Sequence, residues 1–158
     1  MIHLLIGIQG SGKTTYSKKL QQELNCEIVS SDHVRDLHKD WAEDKIWPEI
    51  YRLLSVALKE NKDVIFDATS ISKKVRLRHK EKLQMLGADV VWGAYFLDTP
   101  LDECIKRVTL RNESMSERFL PLEVIPSYFN SLEKPDFSEG FEFIKIIRNK
   151  EVLESFNK

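Results

Sequence analysis

At 158 residues the chain suits a single domain, long enough to bury a core without disulfide or metal staples. Its residues are 42% hydrophobic and 31% charged, and a formal net charge of −1 gives no global pull towards nucleic acid or an anionic membrane. Cys26 and Cys104 make neither a CxxC pair nor a metal-ligand spacing, no apolar run approaches the roughly 18 residues of a membrane span, and no basic leader precedes the first strand; a reducing cytoplasmic setting is the expectation.

Residues 1–8 read as a short buried strand, with Ile2, Leu4, Leu5, Ile6 and Ile8 nearly continuous. Glycines interrupt it, and Tyr16, Leu20 and Leu24 then recur at helical spacing. Glu27 to Val29 gives a second strand running into Ser30-Ser31-Asp32, and residues 36–44 read as a loop or short helix. Ile46, Ile50, Leu53, Leu54, Ala57 and Leu58 form an amphipathic stripe, with Pro48 in its first turns. Val64 to Phe66 is a third strand, closed by Asp67-Ala68-Thr69.

A basic helix follows over 72–86, with Gly87 as its stop, and Val90 to Leu97 is the longest strand candidate. Leu101, Cys104, Ile105 and Val108 mark a helix after Pro100, and Arg111 to Arg118 reads as a polar loop. Ile125, Tyr128, Phe129 and Leu132 give another helix, Phe141 to Ile147 a fifth strand, and the tail 150–157 a short helix. Strands alternating with helices imply βαβ crossovers and a parallel sheet of five strands covered on both faces, a three-layer α/β domain.

Gly7-Ile8-Gln9-Gly10-Ser11-Gly12-Lys13-Thr14 fits G-x-x-x-x-G-K-[ST] in full, between a buried strand and an amphipathic helix. Glycines let the backbone turn its amides inward around phosphate oxygens, and the following helix presents its N-terminus to the same anion. Gly7, Gln9, Gly10, Ser11, Gly12, Lys13, Thr14 and Thr15 are therefore the expected binding residues for ATP. Lys13 is placed at the β- and γ-phosphates and Thr14 on Mg²⁺.

Asp32 stands at a strand's carboxyl end, on the P-loop side, where a carboxylate can take a proton from an attacking hydroxyl. A helix cap or turn aspartate is the structural alternative. Arg35, three residues on, either binds an acceptor phosphate or pairs locally with Asp32. Asp67 closes its strand as a metal-side Walker-B aspartate or caps the next helix. Arg107 and Arg111 share one helix face at i, i+4, as lid arginines or as a solvated basic face. The cations Lys73, Lys74, Arg76, Arg78, Lys80 and Lys82 with His79 read mostly as a solvated helix face, and as the best local nucleic-acid patch. Trp41, Trp47 and Trp92 do not interleave with them, and Trp47 and Trp92 read as core or near-core.

Together these residues resemble the 5′-kinase domain of polynucleotide kinases, over roughly residues 2–147. Ser31-Asp32-His33-Val34-Arg35 is similar to the family's S/R-D-x-x-R, and Asp67-Ala68-Thr69 to its D-x-T, followed by Arg76; Arg107 and Arg111 match its paired lid arginines. The resemblance implies a P-loop kinase fold with strand order 2-3-1-4-5 and an arginine-bearing lid near 108–121, in one domain over 1–158. It implies Asp32, Lys13, Arg107 and Arg111 as catalytic residues, and Arg35, Asp67 and Arg76 as substrate-binding ones. ATP and Mg²⁺ are the implied cofactors and a nucleic-acid 5′ end the implied acceptor. Gln9 replaces the family's usual proline, Asn112 follows the second arginine rather than the first, and Arg118 is a further lid candidate. No phosphatase or ligase segment accompanies these motifs. A kinase of a nucleotide, antibiotic or sugar alcohol is the alternative, and a regulatory NTPase the third reading; Asn61-Lys62-Asp63-Val64 does not make the N-K-x-D of a GTPase.

Overall fold

The computed structural model describes residues 1–114 and 119–158. Six strands form one sheet: β1 (Ile2–Ile6), β2 (Glu27–Ser30), β3 (Val64–Asp67), β4 (Trp92–Leu97), β5 (Phe143–Arg148) and β6 (Glu151–Asn157). Their order is β2-β3-β1-β4-β5-β6. The first five are mutually parallel, with Leu4 opposite both Phe66 and Ala94, and β6 runs antiparallel to β5. Among the described residues the helices are α1 (Lys13–Leu24), α2 (Ser31–Leu37), α3 (Glu43–Lys59), α4 (Lys73–Met85), α5 (Leu101–Ser114) and α6 (Ile125–Ser131).

Strands β1, β3 and β4 are buried along their whole length, as a parallel sheet covered on both faces requires. Alternate side chains of β1 divide the core. Ile2, Leu4 and Ile6 pack with Ile46, Ile50 and Leu54 of α3 and Leu83 of α4. Leu5 faces the other way, into a cluster with Tyr16 and Leu20 of α1. Ile8, just past β1, joins Cys104 and Val108 of α5 and Ile125 of α6. The layers therefore converge on the turn after β1.

Three expectations change. The tail is not a helix: Asn149 and Lys150 have φ of 50° and 65°, a two-residue turn that folds 151–157 back as β6, a sixth strand beyond the expected five. The polar stretch from Arg111 is not a loop at its start, because α5 continues to Ser114. Arg111 and Glu113 are good helix formers that need no apolar face of their own. Asp32 is no strand terminus either. It lies in the first turn of α2, whose Ser30 cap accepts the His33 amide. No helix among the described residues is long and apolar enough to cross a membrane.

Candidate active site

The turn from β1 into α1 is held by close approach and by backbone that favours glycine. Gly10 has φ 78°, and a β-carbon there would stand 2.4 Å from the Cys104 carbonyl of α5. Gly12, at φ 99°, caps α1 without any side chain, which leaves the first amides of that helix facing the cleft. Behind the loop, the Ser11 amide donates to Ile8 O at 3.1 Å and Thr99 Oγ1 donates to Ser11 O at 2.8 Å. Gly7 sits on that inner side, against Ser11.

Lys13 Nζ donates to Ile8 O at 3.3 Å. Burial pushes its ammonium below the usual lysine range, with Asp67 and Asp32 opposing the shift and Arg111 adding to it. Thr14 Oγ1 donates to Asp67 Oδ2 at 3.4 Å. Asp67 is nearly buried at the end of β3, and burial raises its carboxyl above the usual range while Lys13 and Thr14 hold it back.

These residues fit the groups that the motif implies. Helix amides and a dehydrated ammonium form a cradle for an anion. The Ser11 hydroxyl and the Gln9 Oε1 are buried there with no hydrogen-bond partner among the described residues. The Thr14 hydroxyl and Asp67 carboxylate are adjacent oxygen donors on its floor. No cluster of three His, Cys, Asp or Glu that could hold a metal occurs among the described residues. Mg²⁺ suits such a place, since it takes one or two protein oxygens and completes its shell with water and phosphate.

One cleft of about 700 Å³ runs from Lys13 and Thr14 past Asp67 to Asp32 and Arg35. Arg35 Nη1 donates to Asp32 Oδ1 at 2.9 Å, while its Nε and Nη2 grip Glu43 at 2.6 to 3.2 Å. The two carboxylates, Glu43 first, hold the guanidinium more firmly protonated than usual. Trp47 of α3 and Tyr128 of α6 line the same cleft. A second cavity of about 410 Å³ lies on the other side of the loop, between Thr15, Tyr16 and Thr99 and the β5–β6 turn at Asn149 and Lys150. That turn is tied to α1, because Lys19 Nζ donates to Lys150 O at 2.7 Å.

Arg107 stands between the two cavities, donating to Gly10 O at 3.3 Å and to Glu103 at 3.2 Å. Arg111, one turn on, faces the larger cleft. Asn112 exchanges two hydrogen bonds with the Leu120 backbone, at 2.8 and 3.0 Å, and so fixes where the chain returns. Arg118 lies outside the described residues, as do the other residues of 115–118 within the expected lid.

The structure thus gathers Gln9, Gly10, Gly12, Lys13, Thr14, Thr15, Asp32, Arg35, Asp67, Arg107 and Arg111 along one cleft. It does not bring Arg76 there. Arg76 is 0% exposed, with its guanidinium closed by Glu139 at 2.6 Å and by the Ser70 carbonyl at 2.9 Å. Asp32 sits in the first turn of α2, whose cap is Ser30, and lines the cleft that holds the P-loop. Glu43 and Thr99 carry no signal in the sequence, while Trp47 and Tyr128 show there only as core and helix-stripe residues.

The sequence matches the AAA domain family over residues 2–135. A shikimate kinase of Corynebacterium glutamicum is 30% identical over 115 residues, which cover 67% of this chain and 63% of that protein. A gluconokinase of Arabidopsis thaliana is 25% identical over 171 residues, covering 94% of this chain and 86% of that one. Among solved structures, a chain of the Pnkp1/Rnl/Hen1 RNA repair complex is 26% identical at a TM-score of 0.73, covering 86% of this chain and 46% of that chain.

Proposed function

The chain belongs to the AAA domain family and has the P-loop kinase fold, and on that footing we propose that it transfers the γ-phosphoryl group of ATP to the 5′-hydroxyl end of a polynucleotide. One observation carries the reading: a single cleft joins the phosphate cradle at Lys13 and Thr14 to the carboxylate of Asp32. ATP is held by the loop amides and by Lys13, whose ammonium meets the β- and γ-phosphates. Thr14 and Asp67 would hold Mg²⁺, which would neutralise phosphate charge there. Asp32 accepts the proton of the acceptor hydroxyl. The oxygen so freed forms its bond to the γ-phosphorus as the bond to the bridging oxygen breaks, and ADP leaves. Arg107 and Arg111 lie where equatorial charge gathers, so catalysis rests on positioning and electrostatics. Arg35 orients the acceptor, and the likeness to the RNA repair chain supports a polynucleotide there.

A second reading, a kinase of a small hydroxyl compound, is favoured by one feature. Arg35 is satisfied by Asp32 and Glu43, so an acceptor phosphate has to displace or share Glu43. Transfer of labelled γ-phosphate to 5′-hydroxyl DNA and RNA oligomers, nucleosides and small alcohols decides between the two. Label on the oligomers, cut by about 10² to 10⁴ in Asp32→Asn with ATP binding intact, is the expected result. Label on a small alcohol alone selects the second reading, and an Asp32→Asn enzyme at near-full rate removes Asp32 as the base.

A further inference from the structure

The cations of α4 divide by direction. Lys73 pairs with Asp136, Arg76 with Glu139, and Lys80 donates to the Glu139 carbonyl. Those three clasp the turn 136–140 against the helix. Lys74, Arg78 and Lys82 are exposed, and none of them has a carboxylate partner among the described residues. Their spacing of i, i+4, i+8 sets them in one row. At about 1.5 Å of rise per residue the row is about 12 Å long, with steps of about 6 Å. Glu81 is the one acid on this helix.

The row starts beside the cleft. Thr69 lines the cleft, and Ser72, three residues later, caps α4 by accepting the Val75 amide. As the crossover between parallel strands β3 and β4, α4 runs back from the carboxyl ends of the strands. Lys74 is thus the near end of the row and Lys82 the far end. Leu77 and Met85, 54% and 77% exposed, flank it with apolar surface. With a formal net charge of −1 for the whole chain, so local a run of unpaired cations is not a by-product of a basic protein.

We infer that Lys74, Arg78 and Lys82 form a track for the phosphates of a single-stranded polynucleotide whose 5′ end occupies the cleft. This rests on the polynucleotide reading above and names where the rest of that acceptor lies. At about 3.4 Å per stacked nucleotide, 12 Å takes in three or four phosphates. The exposed leucine and methionine offer the bases an apolar flank. The track adds affinity and leaves chemistry untouched, because none of the three residues lines the cleft of Lys13 and Asp32.

The test compares the wild type with the triple variant Lys74→Glu, Arg78→Glu, Lys82→Glu, and with the milder triple change to Gln, each checked for an unaltered thermal transition. Acceptors are a 5′-hydroxyl dinucleotide and a 5′-hydroxyl dodecanucleotide. The expected result is a KM for the dodecanucleotide raised about tenfold or more, with kcat unchanged and the dinucleotide unaffected. The slope of log KM against log salt falls by about 2, since each single-strand phosphate contact contributes about 0.7. Equal effects on both acceptors, or none on either, overturn the track. Anisotropy of the labelled dodecanucleotide without ATP reads the track independently of turnover. A tenfold weaker Kd in the variant supports it even if no oligomer is phosphorylated, which would sink the acceptor reading alone; an unchanged Kd overturns it. Loss of binding to phosphatidylserine vesicles, with oligonucleotide binding intact, assigns the row to a membrane surface instead.

Discussion

Arg35 and Arg76 show how two arginines of one chain take different tasks. Arg35 keeps about a quarter of its side chain exposed at the cleft wall, between two carboxylates that are themselves open to water. Arg76 is fully enclosed, and its partner Glu139 also receives the Asp136 amide and completes a capping box there. Removing one member of so enclosed a pair strands the other charge, at a cost of about 3 to 5 kcal/mol. Arg76→Ala is therefore expected to lose that much stability in urea unfolding, while kcat and KM stand at temperatures where the variant stays folded. A fall in kcat with stability intact would return Arg76 to the acceptor site.

At the scale of elements, what the sequence disclosed depended on how local the physics is. The strands β1, β3 and β4 are almost wholly apolar, and α3 carries its stripe at the right period, so each is visible in its own residues. The P-loop is visible for the same reason, since its motif is contiguous from Gly7 to Thr14. The end of α5 is not, because Arg111 to Ser114 carry no apolar side chain and hydrophobic pattern is silent there. Nor is β6: each of its residues is exposed, and its existence turns on two left-handed residues before it. Glu43 and Tyr128 reach the site only because α2 packs on α3 and α6 on α5, contacts between elements that carry no sequence spacing. Asp32 and Arg35 stand out from their positions in the sequence, but Glu43's hold on Arg35 needed the fold.

For the whole molecule, His79 is the point where several layers meet. It is 2% exposed on α4, bonded through Nδ1 to Tyr51 Oη of α3 at 2.8 Å and through Nε2 to Ser70 Oγ at 3.2 Å, with the Phe66 ring of β3 edge-on. Burial, helped by Arg78 and Arg76, pushes its pKa down to about 4 from an ordinary 6.5. Between those values the unfolded chain binds a proton that the native state refuses, so stability rises with pH across the window. The contribution is complete above about pH 6.5 and is lost as pH falls towards 4, amounting to about 3 kcal/mol. Chemical denaturation at a series of pH values should show that acid-side loss, and His79→Gln should flatten it; an identical slope in the variant would clear His79 of the effect. The same histidine also has an optical consequence. Trp47 stacks on it at 5.6 Å while forming part of the cleft wall, whereas Trp92 is sealed beside Phe141 and Trp41 lies on His38. One of the three indoles therefore looks onto the part of the cleft proposed for the acceptor, and its emission reports an arrival there without any dye. In Trp41→Phe/Trp92→Phe protein, acceptor should shift the remaining fluorescence, and a silent titration would mean that the acceptor docks away from α3.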